Sequence, residues 1–472
     1  MIDWHPLWRS RAARPATGRL RGPCGATALL CALGFLLLAV STVAAAPSDT
    51  VAQRERDEDV GPERLLPPAA AFVGIVGVVM AQRLQLYPLA SGIRFGAPLL
   101  ALALAVWPLV MIGPRPLNRQ PSPDAQEYAD AARHLAAGEG FITTIYRNEV
   151  KPPRYPPGFS LALAPFALAG RYPQNVQLGS KSFAVLYLVA TMVAAWAVGG
   201  PLAAAVAVAL VGASPFAVRY ASLVMSDAFA AALTVLALPL LHRPTASRLG
   251  GAGLIAGGLI LVRLSGIVTL AAMMVTLAVS RRWRGIMIVG AGALVGIAAL
   301  AFQQWTSFGN PLMTGYAYWL PELRTFGLDF PLSLTSQRDG SGVVADSLDG
   351  ALLRWTCPCP ENDPLIAFRP VTFYPLVLLG FFWIFTPPLT TTPGLIEVWR
   401  QRREPAAAYV LCLTVITVLL HLVYFYHAPR FMAGPATLLA IYSGVAVARW
   451  VARWTTAAPL RSPEAQGAPL PV

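Results

Sequence analysis

Apolar runs long enough to cross a bilayer recur along this chain, and they limit its fold more than any other feature. "LLCALGFLLLAVSTVAAA", "GAPLLALALAVWPLVMIG" and "GIMIVGAGALVGIAALAF" show the type. In hydrocarbon each backbone N–H and C=O must be satisfied within its own segment, so such runs become helices. A spanning helix needs about 20 mostly apolar residues. On that rule spans are predicted at 24–46, 67–87, 95–113, 180–199, 201–218, 225–241, 249–263, 264–280, 285–303, 371–389, 406–425 and 431–449. The expected architecture is an all-α polytopic membrane protein of about twelve helices, within a range of roughly ten to thirteen. Gly200-Pro201 and Arg263 to Gly266 mark tight helical hairpins, and Gln82 with Arg83 interrupts the 67–87 span.

Hydrophobic residues make up 56% of the 472, and charged residues only 12%. No soluble domain needs so little charge. The net charge of +13 comes without a basic run interleaved with aromatics, so no nucleic-acid partner is expected. Excess arginine in a membrane protein is a topology signal. Cysteines at positions 24, 31, 357, 359 and 412 make no metal-ligand set. A bridge between Cys357 and Cys359 across one residue would be strained. The five histidines are scattered without H-x-x-x-H spacing, which gives zinc chemistry no support. No cofactor is expected, with a divalent metal left open.

Charge on the short loops orients the chain. Arg9, Arg11, Arg14, Arg19 and Arg21 place the N-terminus in the cytoplasm. The clusters at Arg83/Arg94, Arg243/Arg248, Arg281/Arg282/Arg284, Arg400/Arg402/Arg403 and Arg449/Arg453 then fall on the same side. The first span, with Ala44-Ala45-Ala46 after it, reads either as an uncleaved helix or as a signal peptide. Three regions follow: a cytoplasmic tail with two spans over 1–94, a membrane domain over 95–450, and a cytoplasmic tail over 451–472. Two long outer loops, about 114–179 and 304–370, face away from the cytoplasm, and the expected location is the plasma membrane.

The first outer loop carries "SPDAQEYADAARHLAAGEGF" and then "NEVKPPRYPPGFSLALAPFALAG". Asp124 and Glu127 have the spacing of a helix-capping pair. Tyr128, Ala131, Ala132 and Leu135 share one helical face, suited to lying on the membrane surface. Four prolines forbid a regular helix after Glu149 and hold Lys151, Arg154 and Tyr155 extended. The apolar run after Gly158 is too short to span. Farther on, "SPFAVRYASLVMSDAFAAALTVLALPLL" brings Arg219, Tyr220 and Asp227 to an outward hairpin. Asp227 has two readings, a helix cap or an ionisable group facing a cavity. Arg263 and Arg430 sit at outward helix ends, where an arginine is either a snorkelling anchor or a ligand.

These pieces in this order resemble the polytopic glycosyltransferase C superfamily, in particular the bacterial branch similar to protein O-mannosyltransferases and lipid A aminoarabinose transferases. The resemblance rests on "PDAQEYADAARHLAAGEGF", "KPP", "RYPPGFSLALAPF", "YASLVMSDAFAAALTVLALPLL", "LILVRLSGIVTLAAMMVTLAV", "FGNPLMTGY" and "HAPRFMAGPATLLAIY". It covers roughly 95–450, and the two spans before it depart from the family's pattern. It implies transfer of a sugar from a polyprenyl-phosphate donor to a cell-envelope lipid, glycan or protein on the outer face. It carries the role of catalytic base to Asp124, with Glu127 a poorer match, and that of the second acid to Asp227. Residue chemistry agrees: a carboxylate base is worth roughly 10²–10⁴-fold, and fixed cations stabilise the departing phosphate. Lys151, Arg154, Arg219, Arg263 and Arg430 are the candidate cations; lysine occurs only at Lys151 and Lys181 among 36 basic residues. Tyr155, Tyr316 and Trp319 are candidates for sugar or acceptor contact. Trp305, Tyr316, Tyr318 and Trp319 also fit an interfacial aromatic belt. The competing class is a secondary transporter, which would place its ionisable groups near the midplane and repeat its halves. Here the charges crowd at one face and no internal repeat is visible.

Overall fold

The computed structural model describes residues 87–111, 117, 123–146, 149–319, 370–380, 384–387, 389–424 and 428–456. The predicted spans 24–46 and 67–87, the Cys357/Cys359 pair and most of the second outer loop lie outside them. The chain divides into units 1–44 and 45–472, and the described residues all belong to the second. Among them no strand occurs, and an isolated antiparallel bridge joins Thr143 and Lys151.

The first half is built from α1 (Tyr87–Met111), α2 (Asp124–Ala136), α3 (Gly158–Leu168), α4 (Gln174–Gly212), α5 (Pro215–Ser222) and α6 (Asp227–His242). The second half has α7 (Ala246–Val262), α8 (Gly266–Val279), α9 (Trp283–Phe308), α10 (Gly315–Trp319), α11 (Pro370–Leu378), α12 (Thr392–Arg400) and α13 (Pro405–Leu422). A 3₁₀ turn at Pro429–Met432 then leads into α14 (Ala433–Thr456). Among the described residues four segments are long and apolar enough to cross a membrane: Gln174–Gly212, Trp283–Phe308, Pro405–Leu422 and Pro429–Arg453. Five others, among them α6, α7 and α8, are apolar but only 10–17 residues long.

Both predicted hairpins are present. At Gly200 the backbone takes φ 81° and ψ −176°, a conformation open only to glycine, and Pro201 restarts the helix. The chain then returns along itself, so that Phe216 packs 6.2 Å from Tyr187. The second hairpin joins α7 to α8 and closes on Gly266, where a methyl would lie 2.6 Å from the Ile260 nitrogen. Small residues set the α7–α9 contact as well. A methyl on Gly257 would meet the Ala293 carbonyl oxygen at 2.7 Å, and one on Gly292 the Gly250 oxygen at 2.6 Å. Backbones approach this closely in lipid because no hydrophobic force draws helices together there, so close packing must hold them.

The expected span 371–389 is not a continuous helix. Helix α11 ends at Leu378, Gly380 takes φ 73°, and the Leu389 N–H returns to the Gly380 carbonyl at 2.6 Å. The left-handed Gly380 ends the helix although the composition stays apolar. The apolar face of α2 also differs from expectation. Ala125, Tyr128, Ala129 and Ala132 are buried with Phe159 and Leu163 of α3, so the face meets protein rather than the membrane surface. Gly158 seats α3 against the end of α7, where a methyl would lie 2.6 Å from the Leu261 carbonyl carbon.

Candidate active site

Helix α2 begins at Asp124 without any side-chain cap. The capping-pair expectation therefore fails, and the reason is covalent. The N-cap position is Pro123, which offers neither a side-chain acceptor nor an N–H for a glutamate to reach back to. Both acids are consequently turned to other work.

Glu127 is buried (1% exposed) and holds the proline-rich strap. Its Oε2 accepts from the Tyr146 hydroxyl at 2.6 Å. Its Oε1 accepts from the Tyr155 N–H at 3.3 Å and from the Arg154 N–H. Arg154 closes the ring by donating Nη2 to the Tyr146 oxygen at 2.9 Å. Burial raises the Glu127 carboxyl above its ordinary value, against the lowering effect of these donors. Beyond the Thr143–Lys151 bridge the strap's N–H groups have no ladder partner, and Glu127 supplies one to Arg154 and Tyr155.

Fixing Tyr155 in this way aims its hydroxyl at Asp124, whose Oδ1 accepts from it. The Tyr155 ring is buried against Tyr128 at 4.8 Å and meets Tyr316 edge-on at 5.6 Å. Burial and the nearby Asp124 charge push its hydroxyl far above the ordinary tyrosine value, so it stays protonated and donates. The other Asp124 oxygen lies 3.9 Å from Nη1 of Arg430, and the Asp124 side chain keeps 20% exposure. A carboxylate with one fixed donor, one nearby guanidinium and an open side is suited to take a proton.

Asp227 lies one helix away. Tyr128 links the two, its hydroxyl 3.2 Å from Ser226 Oγ at the start of α6. No side chain caps α6, so the capping reading of Asp227 fails too; the buried carboxylate instead accepts from Nη1 of Arg263. An acid this buried needs such a partner. Arg263 and Arg430 stand 6.0 Å and 5.8 Å from the Phe431 ring. Asp227, both arginines, Phe431 and His421 line one cavity of ≈ 70 Å³.

The remaining candidates fall elsewhere. Lys151 pairs with Glu149 at 2.7 Å and lies over the Trp319 ring at 5.2 Å. Neither Lys151 nor Arg154 is among the residues that line this cavity. Arg219 sits on α5, and its side chain is outside the described residues. Trp319 donates Nε1 to the Pro152 carbonyl at 3.0 Å and packs on Tyr146 at 4.5 Å. Tyr155 donates its hydroxyl to Asp124 and packs its ring on Tyr128. Trp305 (59% exposed) and Tyr318 (48%) face outward, as belt aromatics do. Tyr128, Tyr146 and His421 have no signal in the sequence beyond being polar-tipped residues near the motifs. No group of three or more metal-ligating side chains occurs among the described residues.

Solved structures of other proteins share the fold that carries this site. ArnT from Cupriavidus metallidurans in the apo state shares it at a TM-score of 0.51 and 18% identity, over 73% of this chain and 58% of that one. The same protein bound to undecaprenyl phosphate gives a TM-score of 0.47 at 17% identity, with 73% and 58% covered. The archaeal oligosaccharyltransferase AglB from Archaeoglobus fulgidus, in complex with an inhibitory peptide and a dolichol-phosphate, gives 0.44 at 13%, over 73% and 49%. The chain thus spans 58% of the length of ArnT. No family model matches the chain, and no curated protein matches it.

Proposed function

We propose that this chain is a membrane glycosyltransferase. It moves a sugar from a polyprenyl-phosphate donor to a cell-envelope lipid, glycan or protein, on the extracytoplasmic face of the plasma membrane. The observation that carries this reading is the placement of Asp124: oriented by Tyr155, partly open, and 3.9 Å from an arginine of the adjoining cavity. Asp124 takes the proton of the acceptor's attacking group as the bond from the sugar's anomeric carbon to the phosphate oxygen breaks. Arg263 and Arg430 receive the phosphate's charge, as fixed cations do when charge builds on a leaving group. Asp227 holds Arg263 in place. Lys151 and Arg154, on the strap, remain candidates for an outer contact with the lipid phosphate as it enters.

The fold likeness to ArnT agrees with a lipid-phosphate donor, since one structure of that protein holds undecaprenyl phosphate. The test is direct. Purified protein in lipid nanodiscs is given polyprenyl-phosphate sugars carrying a labelled sugar, with envelope lipids as acceptors. Label should move to the acceptor and the movement should require Asp124. Protein that binds polyprenyl phosphates yet moves no label from any such donor would overturn the reading.

A further inference from the structure

His421 takes no part in the scheme above. It is 5% exposed, sits in the last turn of α13, and lines the same cavity as Asp227, Arg263 and Arg430. Three contacts fix its ring. It stacks on Phe431 at 4.5 Å and 27° and meets Tyr374 and Tyr424 edge-on at 5.8 Å and 5.9 Å. Nδ1 lies 2.7 Å from the Thr417 carbonyl oxygen. A carbonyl can only accept, so Nδ1 carries the proton, and Nε2 of the neutral ring is left as an acceptor.

Such an arrangement is costly in a span unless something uses it. The cavity's cations, Arg263 and Arg430, can only donate, and Asp227 is committed to Arg263. The Thr234 hydroxyl donates back to the Ala230 carbonyl at 2.9 Å. The Thr234, Ser265, Thr269 and Thr417 side chains on the same lining can donate as well as accept, so Nε2 of His421 is the neutral side-chain atom there that can only accept, in a cavity it shares with Arg263 and Arg430. A group that donates a hydrogen bond beside a phosphate is what a sugar on a lipid phosphate presents and the dianion of a bare lipid phosphate lacks.

We infer that His421 is the residue that reads the sugar: its Nε2 accepts a hydrogen bond from a hydroxyl or amino group of the donor's glycosyl moiety. This rests on the transferase reading above and deepens it. Arg263 and Arg430 would give affinity for any polyprenyl phosphate, while His421 would give the preference for the glycosylated one. A buried acceptor built for a donor penalises a ligand that cannot fill it.

The experiment measures binding, apart from turnover. Undecaprenyl phosphate and undecaprenyl-phosphate glucose, mannose, arabinose and 4-amino-4-deoxyarabinose are titrated into the full-length protein in nanodiscs. The wild type is expected to bind at least one glycosylated lipid more tightly than the bare phosphate. His421→Phe keeps the stack on Phe431 and removes the acceptor. It should weaken that glycosylated lipid about tenfold to hundredfold and leave bare undecaprenyl phosphate unchanged. His421→Gln, which carries an acceptor oxygen near the place of Nε2, should recover part of the preference. If His421→Phe fails to fold, single-deoxy analogues of the preferred lipid are titrated into the wild type, and one should bind at least about tenfold more weakly. A folded His421→Phe protein that keeps its sugar preference overturns the inference, as does a wild type with no preference or no penalised analogue. A wild type that binds none of these lipids overturns the transferase reading itself.

Discussion

Asp124→Asn separates fold from chemistry in one substitution. The amide keeps the size of the carboxylate, and its oxygen can still accept from the Tyr155 hydroxyl that now orients Oδ1. What it loses is the ability to take a proton and the charge facing Arg430 at 3.9 Å. The stability cost is that of one partly solvated pair, its side chains 23% and 20% exposed, and such pairs are worth about 0–1 kcal/mol. The helix start is unaffected, because Asp124 caps nothing. The catalytic cost is that of a general base, roughly 10²–10⁴-fold in turnover, or about 2.7–5.5 kcal/mol of barrier. The assay pairs single-turnover transfer of labelled sugar with thermal unfolding in the same detergent. Expected is an unfolding temperature close to wild type with turnover down by at least about two orders of magnitude. Near-wild-type turnover in a folded Asp124→Asn protein would refute the base assignment. Equal collapse of activity and stability would instead mean that Asp124 is structural.

The other predictions concern what holds Asp124 and the phosphate. Tyr155→Phe should leave the ring packing intact and lower kcat more than it raises KM, because only the orienting hydroxyl is lost; unchanged kinetics would detach Tyr155 from Asp124. Glu127→Ala should destabilise strongly, by about 1–3 kcal/mol for each buried N–H of Arg154 and Tyr155 left unpaired, read by thermal unfolding. Glu127 also sets a pH dependence. Its folded-state value is raised above the ordinary 4.5 by burial, so its contribution is full below the unfolded value and is lost as pH rises through the folded one. Unfolding temperature should therefore fall over that window in the wild type and stay flatter in Glu127→Gln. Gly315→Ala would place a methyl 2.7 Å from the Arg154 Cα; it should push α10 off the strap and cut activity, while Gly309→Ala, with nothing near its side, serves as a control for backbone strain alone. Neutralising Arg263 and Arg430 together should weaken binding of bare undecaprenyl phosphate severely, and retention of that affinity would return them to anchoring roles.

Membrane class, helical architecture and both hairpins are written in the sequence, because each follows from local rules. An apolar run in lipid has only the helix available to it, and Gly200-Pro201 leaves one way to turn. The motifs also pointed to the helix ends where the site's charges gather, since charge is expensive in hydrocarbon and marks where the chain meets water or a cavity. Pairing was not legible. That Glu127 binds a strap 27 residues away, that Tyr155 orients Asp124, and that Asp227 is satisfied by Arg263 rather than by its own helix are long-range choices. D-x-x-E spacing favours a cap by local rules alone. Pro123 removed that option, and tertiary contacts decided what the freed carboxylates would hold. Lys151 and Arg154, prominent in sequence, sit on the strap beside Tyr146 and Trp319 rather than on the cavity. His421, inconspicuous in sequence, lines the cavity because α13 and the 3₁₀ turn fold its ring onto Phe431. Sequence determines which residues cannot stay in lipid without a partner; only the packing of helices determines which partner each of them finds.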